Sequence, residues 1–229
     1  MKTLNDFFDN IYCINLAHRS DKWEMVCKEF TKHLMIVERF NGVNGKEVFK
    51  EGMNRHAGAY GVLMSNLKIF EDAIRKGYKT ILIFEDDVTF DDKLNEKFWE
   101  KIDLLPNDWH MLYLGGNHQF TWGKFEMITG DKSIDINKYN YRTFNNELVK
   151  TRWTQCAFAI GYKCDIFSDF LNRLKIWKEP IDVLQPLLQR DNIYNAYAFL
   201  PTLAKPRANF SDISNMFVDY VNNTDVNNF

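Results

Sequence analysis

Apolar residues recur along this chain in two rhythms. Short apolar runs suited to buried strands fall at residues 11–16, 35–40, 80–84, 110–114, 156–162 and 194–200. Between them lie stretches with apolar positions three or four apart. Trp23, Val26, Phe30 and Leu34 follow Ser20 at helical spacing, and Leu63, Leu67, Phe70 and Ile74 mark one face of a helix over 59–76, with Gly77 where a left-handed C-cap is wanted. Further helices are expected over 92–103 and 165–177, and the NGVNG of residues 41–45 reads as a turn. Strands alternating with helices predict an α/β fold with a mainly parallel sheet. From 115 to 153 the periodicity fails. That segment is polar and aromatic, and it reads either as a mobile loop over a binding site or as poorly ordered chain. No repeat or linker divides the 229 residues, so a single domain over 1–229 is expected, with an Asn- and Asp-rich frayed tail at 217–229.

Charge narrows the partners. Lysine and arginine total 29 against 31 acidic residues, a formal charge of −2, which lacks the excess of a general nucleic-acid or membrane-surface binder. The opening MKTLNDFFDN has acids where a signal peptide needs an apolar run, and no stretch of about 18 apolar residues occurs. A cytoplasmic protein without a membrane span is expected, or one in a host-cell cytoplasm if the source is viral. Cys13, Cys27, Cys156 and Cys164 lie within apolar or helical patterns at no metal-type spacing and read as buried free thiols rather than a disulfide framework. A core of this size needs no metal for stability, so metal ligands would have another purpose.

The strongest strand signal, TILIF at 80–84, ends abruptly in Glu85, Asp86 and Asp87. Three adjacent carboxylates repel one another, so a fold either solvates them in a turn or supplies a cation. Ligands of open α/β sheets bind at such strand ends. Strand alternation sends Glu85 and Asp87 to one face, where they could hold a divalent ion, and Asp86 to the other, toward a ribose or sugar hydroxyl. The aspartyl-phosphatase signature DxDxT is not met, since the first acid of such a frame is Glu85 and not an aspartate; neither a P-loop nor GxGxxG is present.

Taken in order, IYCINLAHRSDKW, GAYGVLMSNLKIFEDA and ILIFEDDVTF resemble glycosyltransferase family 25, whose members include bacterial lipooligosaccharide galactosyltransferases and collagen galactosyltransferase-like domains. Ile14, Asn15 and Leu16 with Arg19 and Lys22 resemble the family's INL-x-x-R-x-x-R opening, which lies under the nucleotide. Gly58, Gly61 and Ser65 match G-x-x-G-x-x-x-S, with Asn66 replacing the usual histidine. Glu85-Asp86-Asp87 resembles the family's form of the DxD metal motif. Asp108-Trp109 through Gly115, Thr154 to Ile160, Pro180-Ile181-Asp182, and Pro201, Leu203 and Ser211-Asp212-Ile213 resemble later family elements, with Pro206 where glutamine is frequent.

The resemblance implies a GT-A-like single domain, with a twisted, mostly parallel sheet flanked by helices, and inverting transfer of galactose or glucose from a UDP-sugar to a hydroxyl of a glycan or hydroxylated protein acceptor. Mn²⁺ or Mg²⁺ would lie on Glu85 and Asp87. Asn15, Leu16, Arg19, Ser65, Asp86, Lys205, Arg207 and Asp212 would meet the donor, with Arg19, Lys205 and Arg207 adding positive charge. Asp182 would be the base, although its position also suits the N-cap of a helix beginning near Val183. Asn66 and Pro206 motivate the alternative of a non-catalytic sugar-nucleotide or glycan-binding protein. Trp23, Trp99 and Trp177 are expected in the core. Phe120, Trp122, Tyr141 and Trp153 are candidates for stacking on uracil or an acceptor. His18, His33, His56, His110 and His118 show no metal-ligand spacing.

Overall fold

The TILIF run becomes strand β3 (Thr80–Glu85), with Ile81 and Ile83 facing one apolar layer and Leu82 and Phe84 the other. That double-sided burial explains the unbroken apolar run. β3 pairs in parallel with β1 (Asn10–Asn15), which pairs in parallel with the edge strand β2 (Glu38–Asn41). The computed structural model describes residues 2–48, 57–117, 142–143, 147–212 and 216–219.

Beyond β3 lie β8 (Ala159–Lys163), β5 (Met111–Tyr113), β9 (Ala196–Phe199), β7 (Leu148–Thr151) and β6 (Arg142–Thr143), completing an eight-stranded sheet in the order β2-β1-β3-β8-β5-β9-β7-β6. β8 is antiparallel to both β3 and β5, and β7 to both β9 and β6; the remaining six strands therefore share one direction. The sheet is mostly parallel, as the alternating pattern implied. β4 (Val88–Phe90) pairs with β10 (Ala204–Pro206), and β11 (Asn209–Ser211) with β12 (Met216–Val218), in two small antiparallel ladders.

Helices cover both faces. α1 (Ser20–Lys32) and α4 (Leu94–Lys101) bury Val26, Phe30, Leu94 and Phe98 against Cys13, Leu82, Phe84 and Phe199. On the other face α3 (Ala57–Lys76), α5 (Phe167–Ile176) and α6 (Ile181–Arg190) pack against Tyr12, Ile83, Tyr113 and Tyr162. A short α2 (Gly45–Val48) crosses α3. α3 stops at Gly77, whose φ of 73° is a conformation that glycine adopts without the Cβ clash of other residues. This architecture, a twisted mostly parallel α/β sheet between helical layers, is the GT-A-like arrangement that the resemblance implied.

Several expectations need correction. α1 ends at Lys32, and Leu34, with φ of 56°, turns the chain and stands 63 % exposed instead of continuing the buried face. β2 begins only at Glu38. The expected loop over 115–153 contains strand β7, two-sidedly buried at Leu148 and Val149 and paired with β9, while residues 118–141 and 144–146 lie outside the described residues. Its short, flanked apolar pattern was masked by the polar residues around it. Trp153 is buried in the core, not presented for stacking; Phe120, Trp122, Tyr141, His56 and His118 lie outside the described residues. Phe217 and Val218 of the expected tail belong to β12, and 220–229 lie outside the described residues. All four cysteines are free, but only Cys13 is fully buried. Trp23, Trp99 and Trp177 pack against the core layers as expected. Among the described residues no helix is long and apolar enough to cross a membrane.

Candidate active site

The exits of β1 and β3, the backbone leading into β8, the start of α6 and the end of β11 enclose a cleft of ≈ 510 Å³. Its position follows from topology, because parallel strands release their loops at the same edge of the sheet. Glu85, Asp86, Asp87, Asp182 and Asp212 all line it, together with Lys22, Lys46 and His18.

Alternation along β3 separates the acids. Asp86 has the parity of Leu82 and Phe84 and turns toward α1. There its Oδ2 accepts a hydrogen bond from Asn15 Nδ2 at 2.6 Å, and its Oδ1 lies 3.6 Å from Lys22 Nζ. Lys22, in the first turn of α1, also stands 3.4 Å from Asp212 Oδ2, which pairs with Arg19 as well. Lys22 thus ties the acidic loop after β3 to Asp212, which Arg19 also holds. Burial still holds the Asp86 carboxyl above its ordinary value, with Lys22 and the Asn15 hydrogen bond opposing.

Glu85 has the parity of Ile81 and Ile83 and turns toward the α6 side, where Asp182 lies. Burial, then the charges of Asp87, Asp86 and Asp182, push its carboxyl up to about 8. Asp87 is also raised, burial outweighing a 2.9 Å hydrogen bond that Asn209 Nδ2 donates to its Oδ2. Its Oδ1 is buried with no hydrogen-bond partner among the described residues. An orphaned carboxylate oxygen beside a second carboxylate that resists ionisation fits a missing positive charge, and hard oxygen donors suit Mg²⁺ or Mn²⁺. Among the described residues no three His, Cys, Asp or Glu side chains already converge as a complete ligand set.

The other candidates separate into those that line the cleft and those that build it. Leu16, Asp86, Asp182 and Asp212 line it directly. Asn15 is buried behind it, its Oδ1 accepting from Arg39 at 2.6 and 3.0 Å and its Nδ2 donating to Asp86 and to Arg19 O. It orients Asp86 and is not in the wall. Arg19 is likewise absent from the wall and is engaged by Asp21 and Asp212, hydrogen bonding to Asp21 raising its pKa. Ser65 lines the cleft yet its hydroxyl is used within the fold: Oγ donates to Gly61 O at 2.7 Å and accepts from Val43 N at 2.8 Å.

That latch holds the 42–46 wall on α3 where no side chain fits, since a Cβ on Gly61 would stand 2.4 Å from Val43 O. Lys205 is exposed on β10 outside the wall. Arg207 Nη2 faces Glu29 at 3.7 Å, while its backbone N–H donates to Asp87 O. Neither side chain stands in the cleft wall. Asp182 occupies the first turn of α6 with Pro180 as N-cap, so the alternative N-cap role for Asp182 does not hold. Asn66 is buried and bonded to Val62 O, and Pro206 lines the cleft.

Two functional positions escaped the sequence reading. Lys22 stood in the opening motif, one helical turn beyond Arg19, but its role as the bridge between Asp86 and Asp212 depends on contacts 64 and more residues away. Asn209 gave no local signal, because its bond to Asp87 spans 122 residues.

An acid-rich cleft at the carboxyl edge of a mostly parallel sheet lies where open α/β folds bind their ligands. The chain belongs to glycosyltransferase family 25: the profile described as glycosyltransferase family 25 (LPS biosynthesis protein) matches residues 8–185. It is similar to the human "inactive glycosyltransferase 25 family member 3", 24 % identical over 157 residues covering 59 % of this chain and 26 % of that protein. Mouse "procollagen galactosyltransferase 2" is 23 % identical over 129 residues, covering 47 % of this chain and 21 % of that protein. The chain thus spans about a quarter of the length of such curated relatives. Among solved structures, a glycosyltransferase involved in the glycosylation of the major capsid of PBCV-1 aligns over 73 % of this chain and 65 % of that one, with a TM-score of 0.39 and 10 % identity.

Proposed function

We propose that this chain is a metal-dependent, inverting glycosyltransferase that moves a hexose, galactose or glucose, from a UDP-sugar to a hydroxyl of a glycan or hydroxylated protein acceptor. The observation that carries the reading is the convergence of Glu85, Asp87 and Asp182 in one cleft, with Asp87 Oδ1 buried and unpartnered. Glu85 and Asp87 would hold Mn²⁺ or Mg²⁺, with the donor diphosphate and water supplying the remaining ligands. When bound, the ion supplies positive charge for the departing diphosphate.

Each residue then has a separable task. Asn209 holds Asp87 through Oδ2, and Oδ1 is left buried without a hydrogen-bond partner among the described residues, the oxygen we assign to the ion. Lys22 and Asn15 draw Asp86 to the α1 side, and we assign it there to a ribose or sugar hydroxyl. Asp182 accepts the proton of the acceptor hydroxyl as that oxygen attacks the anomeric carbon opposite the leaving diphosphate. Its position on the start of a packed helix suits a base that must stay fixed while the acceptor is exchanged.

A second reading, a binding protein without turnover, is favoured by Pro206 in the cleft wall and by the "inactive" in the human relative's name. UDP release separates the two. Purified protein is expected to release UDP from one sugar of a UDP-sugar panel in the presence of Mn²⁺ and an acceptor mixture. EDTA should stop the release, and Asp87→Asn should reduce it by about a hundredfold or more. UDP binding without release from any donor would establish the binding protein instead.

A further inference from the structure

Helix α6 carries more than Asp182. Counting three and seven residues on from it, Gln185 and Gln189 lie on the same helical face. They are 0 % and 2 % exposed. Gln189 Nε2 donates to Tyr113 OH at 2.8 Å, and its Oε1 accepts from Thr151 Oγ1 at 2.9 Å and from Thr154 N at 3.0 Å. Gln185 Nε2 donates to Tyr162 OH at 2.6 Å, while Gln185 Oε1 has no partner among the described residues. Tyr113 stands on β5 and Tyr162 on β8, both fully buried in the layer under α6. Asp182 stands on the same helix face as both glutamines, so the polar ladder and the cleft acid share one element.

Methionine or leucine would fill these positions without burying amides, but would take from the Tyr162 and Tyr113 hydroxyls the donors they now accept from. Apolar packing, however, tolerates small rotations and slides of a helix on a sheet, whereas this ladder is satisfied in one register only. We infer that Gln185 and Gln189 are positioning residues: they fix the rotation and height of α6 on the sheet and thereby the place of the Asp182 carboxylate. The inference rests on the reading of Asp182 as the acceptor base. Reacting atoms displaced by about 1 Å can cost about a hundredfold in rate, so even a small shift of the helix has a kinetic consequence.

The test is a comparison of kcat, donor KM and thermal midpoint for Gln189→Met, Gln185→Met, Tyr113→Phe and the Gln189→Met/Tyr113→Phe double variant, with UDP release as the assay. Gln189→Met is expected to lower kcat by about tenfold or more with donor KM within about twofold, because the donor is held from the β1 and β3 side of the cleft. Tyr113→Phe, which removes a single oxygen and keeps the packing, should lower kcat in the same way. The double variant should be no slower than Gln189→Met alone, as expected for partners in one hydrogen bond. Variants with a lowered midpoint but unchanged kcat would overturn the inference and leave the ladder a packing feature. A wild-type protein that binds UDP but turns over no donor would overturn instead the reading on which the inference rests.

Discussion

Replacing Asp182 with asparagine is expected to lower kcat by about two to four orders of magnitude, the usual contribution of a general base, while UDP and Mn²⁺ still bind. The substitution preserves size and the first-turn position in α6 but removes the proton acceptor. Binding should persist because Asp182 is one of three like charges that hinder ionisation of Glu85, and its removal eases the acquisition of a cation there. Steady-state kinetics together with calorimetric titration of UDP in Mn²⁺ check this. An Asp182→Asn protein with kcat near that of the wild type would remove Asp182 from the chemistry and leave another cleft acid, Asp212, as the group to examine.

The second large effect concerns stability. Glu85 has its carboxyl raised from 4.5 to about 8 in the folded protein, so the folded state holds a proton that the unfolded chain releases. Stability from this group is fully present below about pH 4.5 and is lost as pH rises through 8; the same direction applies to Asp86 and Asp87. In EDTA the stability should therefore fall by on the order of 3 kcal/mol between about pH 5 and 8, and the thermal midpoint with it. Mn²⁺ should restore it, more at pH 8 than at pH 6, since the ion competes with the proton. Glu85→Gln should flatten the pH dependence, raise the midpoint at pH 8 in EDTA, and abolish the response to Mn²⁺. A midpoint that is insensitive to pH in the wild type, or a Mn²⁺ response that survives in Glu85→Gln, would show that Glu85 is not the group that takes the ion.

Asp182 came from the family resemblance, whereas Glu85, Asp86 and Asp87 were visible in the sequence for a local reason. An apolar run that ends in consecutive acids carries its own evidence of a strand end, and alternation along β3 already sorts Glu85 from Asp86. The long amphipathic α3 and its Gly77 stop were equally legible, because both signals lie within the helix and one residue beyond it. What failed was anything set by distant partners. Nothing near Asn15, Arg19 or Ser65 reveals the partners their polar atoms find far along the chain: Arg39 and Asp86, Asp212, and Val43. β7 was hidden because only a few residues form it and its burial comes from β9, nearly fifty residues later. The glutamines of α6 looked like ordinary polar helix residues; their burial depends on tyrosines from β5 and β8.

In the proposed function this cleft holds a divalent ion on Glu85 and Asp87, and the ion holds a nucleotide diphosphate. The most direct measurement is anomalous scattering from Mn²⁺ in crystals grown with UDP. The expected result is one strong peak between the Glu85 carboxylate and Asp87 Oδ1, with the UDP diphosphate as its neighbour. A manganese peak elsewhere, or UDP bound outside this cleft, would contradict it.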